Sequence, residues 1–273
     1  METSNDSPAG DYTSSRAGTS ALQRSSGLTR FRLAPNPGPM SLDGTNSYVI
    51  GTADSGHVAV VDPGPEDEGH LAELAASGAV DVVLITHRHA DHTAASARFH
   101  ELTGAPVRAA AAEYCHGGDP LVDGEVLHAG GVEIRVLATP GHTSDSLCFH
   151  LPADGPAGSV LTGDTILGRG TTVLDYPDGR LGDYLASLDR LESLGPATLL
   201  PAHGPVLAAL DAKCREYREH RHQRLDQIRA ALAQLGQDAP IAAVTDAVYP
   251  DVDPSVRWAA ETSVAAQLDY LRS

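Results

Sequence analysis

The chain has few aromatic residues and lacks a long apolar run. Aromatic residues make up 4% of its 273 residues, so its core must be built mostly from Ala, Val and Leu. The apolar runs are short, as at 58–61 and 82–85, and stay far below the ~20 residues of a transmembrane helix. The first thirty residues contain no apolar segment of the kind found in signal peptides. We therefore expect neither a secreted protein nor one that binds membranes.

Basic residues and cysteines are also scarce. The 36 acidic and 19 basic residues give a net charge of −17, which excludes a general electrostatic attraction to nucleic acid. A local basic patch remains compatible with this balance. The three cysteines, Cys115, Cys148 and Cys214, are far apart and odd in number. This pattern is typical of a reduced protein and predicts a cytoplasmic location. An oligomer is compatible with the sequence, but no pattern in the sequence encodes one.

The length fits one large domain with a small appendage. Residues 1–26 are rich in serine without apolar periodicity and are predicted to form a disordered tail. Residues 27–205 mix short apolar runs with helical segments, and 206–273 have helical periodicity throughout. The predicted strands are 46–50, 57–61, 80–86, 107–110, 125–128, 131–138, 146–151, 159–161 and 197–200. The predicted helices are 66–77, 91–102, 181–194, 207–235, 241–248 and 255–271.

Three histidines and one aspartate lie within six residues directly after the predicted strand 80–86. His87 and His89 are two residues apart, so an extended backbone points both side chains the same way. Asp91 and His92 follow at the start of the next helix. Imidazole and carboxylate groups in this arrangement suit zinc, and also iron or manganese. The motif is therefore a candidate for part of a metal site with two ions.

Two metal ions need more ligands than this motif supplies, and three further candidates follow. His142, Asp164 and His203 each come after an apolar run and next to a glycine, which permits a tight turn. A single one of these motifs would carry little weight. All four in the order HxHxDH, H, D, H predict a dinuclear metal centre.

This constellation resembles the metallo-β-lactamase superfamily over roughly residues 31–205. The resemblance implies an αββα sandwich with the metal ions at one edge of its two sheets. Asp62 corresponds to an aspartate that steadies the histidine loop from outside the ligand set. The ligands that the resemblance implies are His87, His89 and His142 for one metal, Asp91, His92 and His203 for the other, and Asp164 as the bridge.

Further segments resemble the lactamase-beta-2-like group of that superfamily. They are the motifs at 36–48, 163–168, 171–173 and 217–228. Members of this group carry a small winged-helix-like C-terminal domain, which would correspond to 206–273. The group includes endonucleases for single-stranded RNA and relatives that cleave acyl thioesters. The chain departs from the common pattern at Ala94-Ala95, where many members have two glycines, and at Arg169 beside the pocket.

The resemblance implies a hydrolase that uses two zinc ions and a bridging hydroxide to cleave an ester or thioester. Two cations ~3.5–4 Å apart lower the pKa of a shared water toward ~7. Asp91 would be the catalytic residue, orienting the hydroxide as well as coordinating a metal. No side chain is identified as a general acid. The alternatives are a zinc-dependent endoribonuclease on single-stranded RNA and, less favoured, a metal-binding module without activity. Glyoxalase II and persulfide dioxygenases share HxHxDH and remain distant alternatives.

The segment 213–229 departs from the acidic balance, because it holds six basic against three acidic residues. One interpretation is a ridge that binds the phosphate of RNA or of a phosphopantetheine arm. The favoured interpretation is a solvated helix that pairs with the acidic main domain. Arg221 and Arg224 match a family motif in this segment. They and Arg169 are the candidate contacts for an anionic substrate.

Overall fold

The computed structural model describes residues 22–273 and shows two β-sheets packed face to face between two layers of helices. Most of the predicted tail lies outside the described residues. Its last part, 22–26, is ordered, because Gln23–Arg24 pairs with Arg30 and Phe31 as a short strand. The prediction of disorder is therefore wrong for 22–26.

The first sheet has six strands in the order β1 to β6. They are β1 Gln23–Arg24, β2 Thr29–Leu33, β3 Asn46–Ile50, β4 His57–Val61, β5 Ala79–Leu84 and β6 Val107–Arg108. Strands β1 to β4 are antiparallel, whereas β4, β5 and β6 run parallel. The end of β5 is buried on both faces, which explains its continuous apolar run.

The second sheet has five strands in the order β11, β10, β9, β8, β7. They are β7 Val126–Ala129, β8 Val132–Ala138, β9 Leu147–Leu151, β10 Ser159–Gly163 and β11 Thr198–Pro201. Only β10 and β11 are parallel to each other among its pairs. Residues of the two inner faces, such as Ile50, Val61, Ile134 and Phe149, form the core between the sheets.

Helices cover both outer faces. They are α1 Glu68–Ala75, α2 Ala90–Thr93, α3 Ser96–Thr103, α4 Leu181–Glu192, α5 Leu210–Leu235, α6 Ile241–Val248 and α7 Arg257–Arg272. Apolar side chains of α1 and α3 pack on the first sheet, and those of α4 and α5 pack on the second. The predicted αββα sandwich is confirmed. None of the helices within 22–273 combines the length and apolarity needed to cross a membrane.

The predicted helix 91–102 is wrong in one respect, because the structure has two short helices there. α2 ends at Thr93, and the chain resumes helical geometry only at Ser96. Ala95 has a ψ of 1°, and its N–H donates to the carbonyl of Gly64 rather than to the preceding turn. The break turns α2 into a short element that presents Asp91 and His92. Strand β2 was not predicted.

The C-terminal region is helical as predicted. The first half of α5 contributes Leu210, Cys214 and Tyr217 to the core formed with α4. Its second half packs with α6 and α7 in a small cluster of their own. Residues 210–272 contain no strand, so the winged-helix part of the prediction is not shown. The three cysteines are free thiols.

Candidate metal centre

The candidate ligands follow four strands that end at one edge of the sandwich. His87 follows β5, His142 follows β8, Asp164 follows β10 and His203 follows β11. The loops are joined by backbone hydrogen bonds from Leu147 to Thr86 (2.7 Å) and from Ala202 to Gly163 (3.1 Å). Both sheets therefore contribute to a single cluster of side chains.

The first group consists of His87, His89 and His142. Nε2 of His87 lies 3.0 Å from Nδ1 of His89, and Nε2 of His142 lies 3.1 Å from the same atom. Ligand atoms of these three residues lie within 4.8 Å of one another. Three ring nitrogens that converge in this way match the imidazole arrangement that a transition metal needs.

The second group consists of Asp91, His92 and His203. Oδ2 of Asp91 lies 3.2 Å from Nε2 of His203 and 3.4 Å from Nε2 of His92. Both histidines are buried, whereas a third of the Asp91 side chain is exposed to the pocket. This group offers two imidazoles and one carboxylate.

Asp164 lies between the two groups and directs one oxygen to each. Its Oδ1 is 3.3 Å from Nε2 of His203 and 3.8 Å from Nε2 of His92. Its Oδ2 is 3.8 Å from Nε2 of His142. A carboxylate in this position is suited to bridge two ions.

Hydrogen bonds outside the cluster fix the orientation of four histidine rings. Nδ1 of His142 donates to the carbonyl of Val173 (2.6 Å), and Nδ1 of His203 donates to that of Gly44 (3.1 Å). The outer nitrogens of His92 and His89 face Asp62 (2.8 Å) and Asp175 (3.2 Å), respectively. Such partners are typical of metal-ligating histidines, because they leave the other ring nitrogen directed at the ion.

Asp62 lies beneath the histidine loop, where the sequence predicts a supporting aspartate. Its Oδ1 accepts a hydrogen bond from the backbone N–H of Thr86 (2.8 Å). Its Oδ2 accepts bonds from the Thr86 hydroxyl (2.7 Å) and from Nδ1 of His92 (2.8 Å). Asp62 has a φ of 50°, a left-handed conformation that is rare outside glycine. The strained residue is held by these three bonds.

The N-terminal motif at 36–48 contacts the second group of candidate ligands. Asn36 bonds both the N–H and the hydroxyl of Thr45, at 2.9 Å each. The Thr45 hydroxyl in turn lies 3.3 Å from Oδ2 of Asp91. Asn46 donates to the carbonyls of Pro201 and Gly204, on either side of His203. These contacts give the motif a physical role that its sequence does not reveal.

A cluster around Arg88 was missed by the sequence reasoning. The Arg88 guanidinium pairs with Asp175 and Asp178, and Asp178 also accepts bonds from Ser144. Asp175 contacts His89 as well. The cluster ties the histidine loop to the loop after His142. No local pattern marks Asp175 or Asp178, since only the tertiary fold brings them to Arg88.

The electrostatics of the two groups differ. Burial lowers the pKa of His142 to about 4 and holds the pKa of His87 well below its usual range. For His203, burial acts in the same direction, but attraction to Asp164 outweighs it and raises the pKa to about 9. For Asp164, the cost of burial is outweighed by its attraction to His203 and His92, so its pKa lies well below its usual range. The buried carboxylates of the cluster are therefore stabilised as anions by the positive charge beside them.

The residues fit a site for divalent cations. Nε2 of His92, Nε2 of His203 and Oδ1 of Asp164 are buried without a hydrogen-bond partner. Buried polar atoms almost always have a hydrogen-bond partner, so three atoms without one at the same place indicate a binding site for a cation. A cation between them would satisfy all three and replace the protons that the carboxylates otherwise hold on His92 and His203.

A cavity of about 160 Å³ opens onto the cluster. His89, Asp91, His142 and Asp164 form its floor. Its walls are mostly apolar, and Arg169 lies at the rim. The wall residues are Pro39, Met40, Leu42, Leu167 and 170–173.

The three arginines predicted to contact an anionic substrate have different surroundings. Arg221 is buried, donates to the carbonyl of Thr172 (2.5 Å) and lies over the ring of Tyr184. It therefore joins α5 to the pocket wall, and its burial leaves it no access to a phosphate on the surface. Arg169 is exposed and pairs with Asp43 at 3.2 Å. Arg224 is partly exposed and lies over the ring of Tyr249.

The chain is similar to several known proteins. A sequence model described as the metallo-beta-lactamase superfamily matches residues 40–203, a segment that spans all seven candidate ligands. Among curated proteins, the chain is similar to an atrochrysone carboxyl ACP thioesterase of Aspergillus fumigatus, with 34% identity over 76% of the chain. The chain spans about 65% of the length of that relative. It is also 31% identical to a beta-lactamase-like protein 2 homolog of Caenorhabditis elegans, over 90% of the chain and 84% of that protein.

A solved structure shows the same architecture. It is that of a metallo-beta-lactamase family protein from Thermus thermophilus, with a TM-score of 0.72 and 27% identity. The match covers 89% of the chain and 93% of that protein, so it includes most of the C-terminal helices.

Proposed function

Because the chain belongs to the metallo-beta-lactamase superfamily, we propose that it is a metal-dependent hydrolase that cleaves acyl thioesters. The observation that carries the proposal is the placement of Asp164 between two groups of ligands in a pocket with apolar walls. A relative that is 34% identical is named as a thioesterase for a carrier-linked substrate. The chemistry of the site agrees with that substrate class.

In the proposal, His87, His89 and His142 hold one ion, and Asp91, His92 and His203 hold the other, with Asp164 between them. Five imidazoles and two carboxylates favour zinc, and iron or manganese are the alternatives. When bound, the ions would supply a Lewis acid for the carbonyl oxygen and a nucleophile from water at neutral pH. The three free thiols fit a reducing, cytoplasmic location, which stays a prediction.

Asp91 is the proposed catalytic residue. Its carboxylate faces the pocket, and its pKa lies well below the usual range because attraction to His92 and His203 outweighs burial. It is therefore an anion that accepts a hydrogen bond from the attacking water. The Thr45 hydroxyl, 3.3 Å from Oδ2, limits the directions in which that carboxylate can turn. Asp91 thus orients the water toward a carbonyl in the pocket.

The leaving group favours a thioester over RNA. A thiol has a pKa of ~8.5, so a thiolate departs near neutral pH without proton donation. The hydroxyl released from a phosphodiester is a far weaker acid and would need a general acid. The pocket floor holds His89 and His142, which are both assigned to the metal, and two carboxylates that are ionised. The apolar wall formed by Met40, Leu42 and Leu167 suits an acyl chain.

Hydrolysis by purified, zinc-loaded protein tests the proposal. The substrates are an S-acyl-N-acetylcysteamine thioester, the matching oxygen ester and a single-stranded RNA oligonucleotide. We expect turnover of the thioester that exceeds that of the ester and is lost in Asp164→Asn. RNA cleavage that depends on Asp164, without thioester turnover, would overturn the assignment in favour of an endoribonuclease. Turnover that survives removal of the metal by a chelator would overturn the metal dependence.

A further inference from the structure

A groove adjoins the metal pocket and leads toward the C-terminal helices. It has a volume of about 320 Å³ and lies between the main domain, the helices α5 and α7, and the segment 249–256 that precedes α7. Pro39, Met40 and residues 171–173 line both the groove and the metal pocket. The two cavities therefore share a wall. We call the second cavity, lined on its far side by His220, Arg224 and Tyr249, the C-terminal groove.

Arg224 is the exception among the basic residues of α5. Lys213, Arg215, Arg218 and Arg229 each pair with a nearby carboxylate, and Arg221 is buried against Thr172 and Tyr184. Arg224 has no acidic partner among the described residues, and its guanidinium donates only to the side-chain oxygen of Gln227 (2.8 Å). The favoured interpretation of a helix that pairs with the acidic main domain therefore holds for Arg215 and Arg218, which reach Glu192, whereas Lys213 and Arg229 pair within α5. It fails for Arg224.

The contacts of Arg224 restrict its side chain and leave its positive charge free to bind an anion. Its guanidinium lies 4.7 Å from the centre of the Tyr249 ring, a cation–π contact that restricts the long side chain. The pKa of the neighbouring His220 is lowered by burial and by the positive charges of Arg221 and Arg224. His220 is therefore neutral at pH 7 and adds a hydrogen-bonding group without a second charge. An oriented guanidinium with free donors is suited to a phosphate group.

We infer that the C-terminal groove binds a phosphopantetheine arm, with its phosphate on Arg224 and its thioester in the metal pocket. The inference rests on the proposed thioesterase function. The arm has an anionic phosphate at one end, a thioester at the other, and amides and methyl groups between. The groove offers groups of both kinds for the middle of the arm, since Val252, Val256 and Ala260 are apolar and Ser263 is polar. A carrier protein and coenzyme A both display this arm, so the substrate class is a phosphopantetheine thioester.

RNA fits the groove less well. Single-stranded RNA needs a row of cations that follows its phosphates. The net charge of −17, the pairing of Lys213, Arg215, Arg218 and Arg229, and the burial of Arg221 leave Arg224 as the only lysine or arginine of this helix that is accessible and lacks a carboxylate partner. A single accessible cation without a carboxylate partner in the groove matches the single phosphate of the arm.

Calorimetric binding of phosphopantetheine to the zinc-loaded protein tests the inference without relying on catalysis. Three variants are compared with the unchanged chain: Arg224→Gln, the conservative Arg224→Lys, and Arg229→Gln as a matched control on the same helix. Arg229 pairs with Asp226 and does not line the groove. We expect Arg224→Gln to raise the Kd about tenfold or more, since it removes hydrogen bonds to a charged group. We expect Arg224→Lys to recover part of the loss, and Arg229→Gln to leave the Kd unchanged.

Hydrolysis and competition experiments separate the possible outcomes. In Arg224→Gln, kcat/KM for an acyl-phosphopantetheine should fall about tenfold relative to that for the phosphate-free N-acetylcysteamine thioester. Binding that depends on Arg224 in a protein without thioester turnover would support the groove and contradict the proposed reaction. Three results would overturn the inference. Phosphopantetheine fails to bind the unchanged chain, its Kd is the same in Arg224→Gln, or Arg224→Gln weakens the binding of an RNA oligonucleotide but not that of phosphopantetheine. Tighter binding of a holo carrier protein than of coenzyme A identifies the carrier as the source of the arm.

Discussion

Nδ1 of His92 lies 2.8 Å from Oδ2 of Asp62, and both side chains are at most 2% exposed. The same carboxylate also binds the Thr86 backbone and hydroxyl. One buried aspartate therefore fixes both the start of the histidine loop and the direction of a ring that is a candidate ligand. This pair is a link between the fold and the proposed metal centre.

Replacing Asp62 with asparagine tests that link. Asparagine keeps the volume but exchanges one acceptor oxygen for a donor, so it cannot accept all three bonds. We expect the zinc Kd to rise about 10–100-fold, the usual effect of removing such a partner. Competition with a chromogenic chelator measures it.

Asp81 offers the matched control for that experiment. It accepts a 2.6 Å bond from His57 and one from the Gly130 backbone, in an exposed position away from the candidate site. Asp81→Asn should leave the zinc Kd unchanged. Equal effects of the two substitutions would show that Asp62 acts only through general stability.

Asp164→Asn tests the role of the carboxylate between the two groups. Asparagine retains one oxygen, so it can serve one group but not both. We expect the number of zinc ions per chain to fall from two to one and hydrolysis to fall at least about 100-fold, since several kcal/mol of charge stabilisation depend on the pair of ions. Elemental analysis of dialysed protein measures the stoichiometry. Two ions per chain in the variant would contradict the bridging role.

Gly141 precedes His142 at a position where α4 comes close. Its φ is +138°, and an added Cβ would lie 2.4 Å from Cα of Tyr184. Gly141→Ala therefore forces the loop and the helix apart, a form of overpacking that costs about 1–3 kcal/mol in addition to the backbone strain. Urea unfolding of the metal-free protein measures this loss, and the zinc Kd should rise with it.

Gly195→Ala separates the clash from the backbone effect. Gly195 also has a positive φ, +79°, but an added Cβ would meet only open space. It should cost about 1 kcal/mol from the backbone alone. A loss in Gly141→Ala that is no larger than this would show that α4 yields to the methyl group.

His70 predicts a pH dependence of stability. Burial lowers its pKa to about 4, and the positive charge of Arg32 adds to the effect. The unfolded chain therefore takes up a proton near pH 6.5 that the folded chain resists, so stability falls as the pH drops from 6.5 to 4. The full difference is about 3 kcal/mol. In His70→Gln, urea unfolding of the metal-free protein should show a correspondingly smaller loss over this range, and parallel profiles would contradict the assignment.

Most of the sandwich could be predicted from sequence because its inner strands have short apolar runs that end at glycine or proline. Strands such as β3, which is followed by Gly51, and β11, which ends at Pro201, carry that signal themselves. Strand β1 does not, because its two polar residues are ordered only by pairing with β2. The break between α2 and α3 was also hidden, since Ala94 and Ala95 favour a helix and the competing bond comes from Gly64.

The candidate ligands could be predicted because each lies in a short motif after a strand. The residues that hold these ligands in position could be predicted only in part. Asp62 follows from the family resemblance, whereas the contact of Asp175 with His89 depends on a loop 86 residues away in sequence. The burial of Arg221 was likewise not apparent, because its position in a basic segment suggests a solvated side chain.

Stepwise addition of zinc to metal-free protein, with bound metal and thioester hydrolysis recorded in the same samples, tests whether hydrolysis depends on two metal ions. We expect two equivalents to bind, and we expect hydrolysis to be absent without metal and to reach its maximum as the second equivalent binds. Hydrolysis at full rate without metal, or a thioester left intact by the protein carrying two zinc ions, would contradict this expectation.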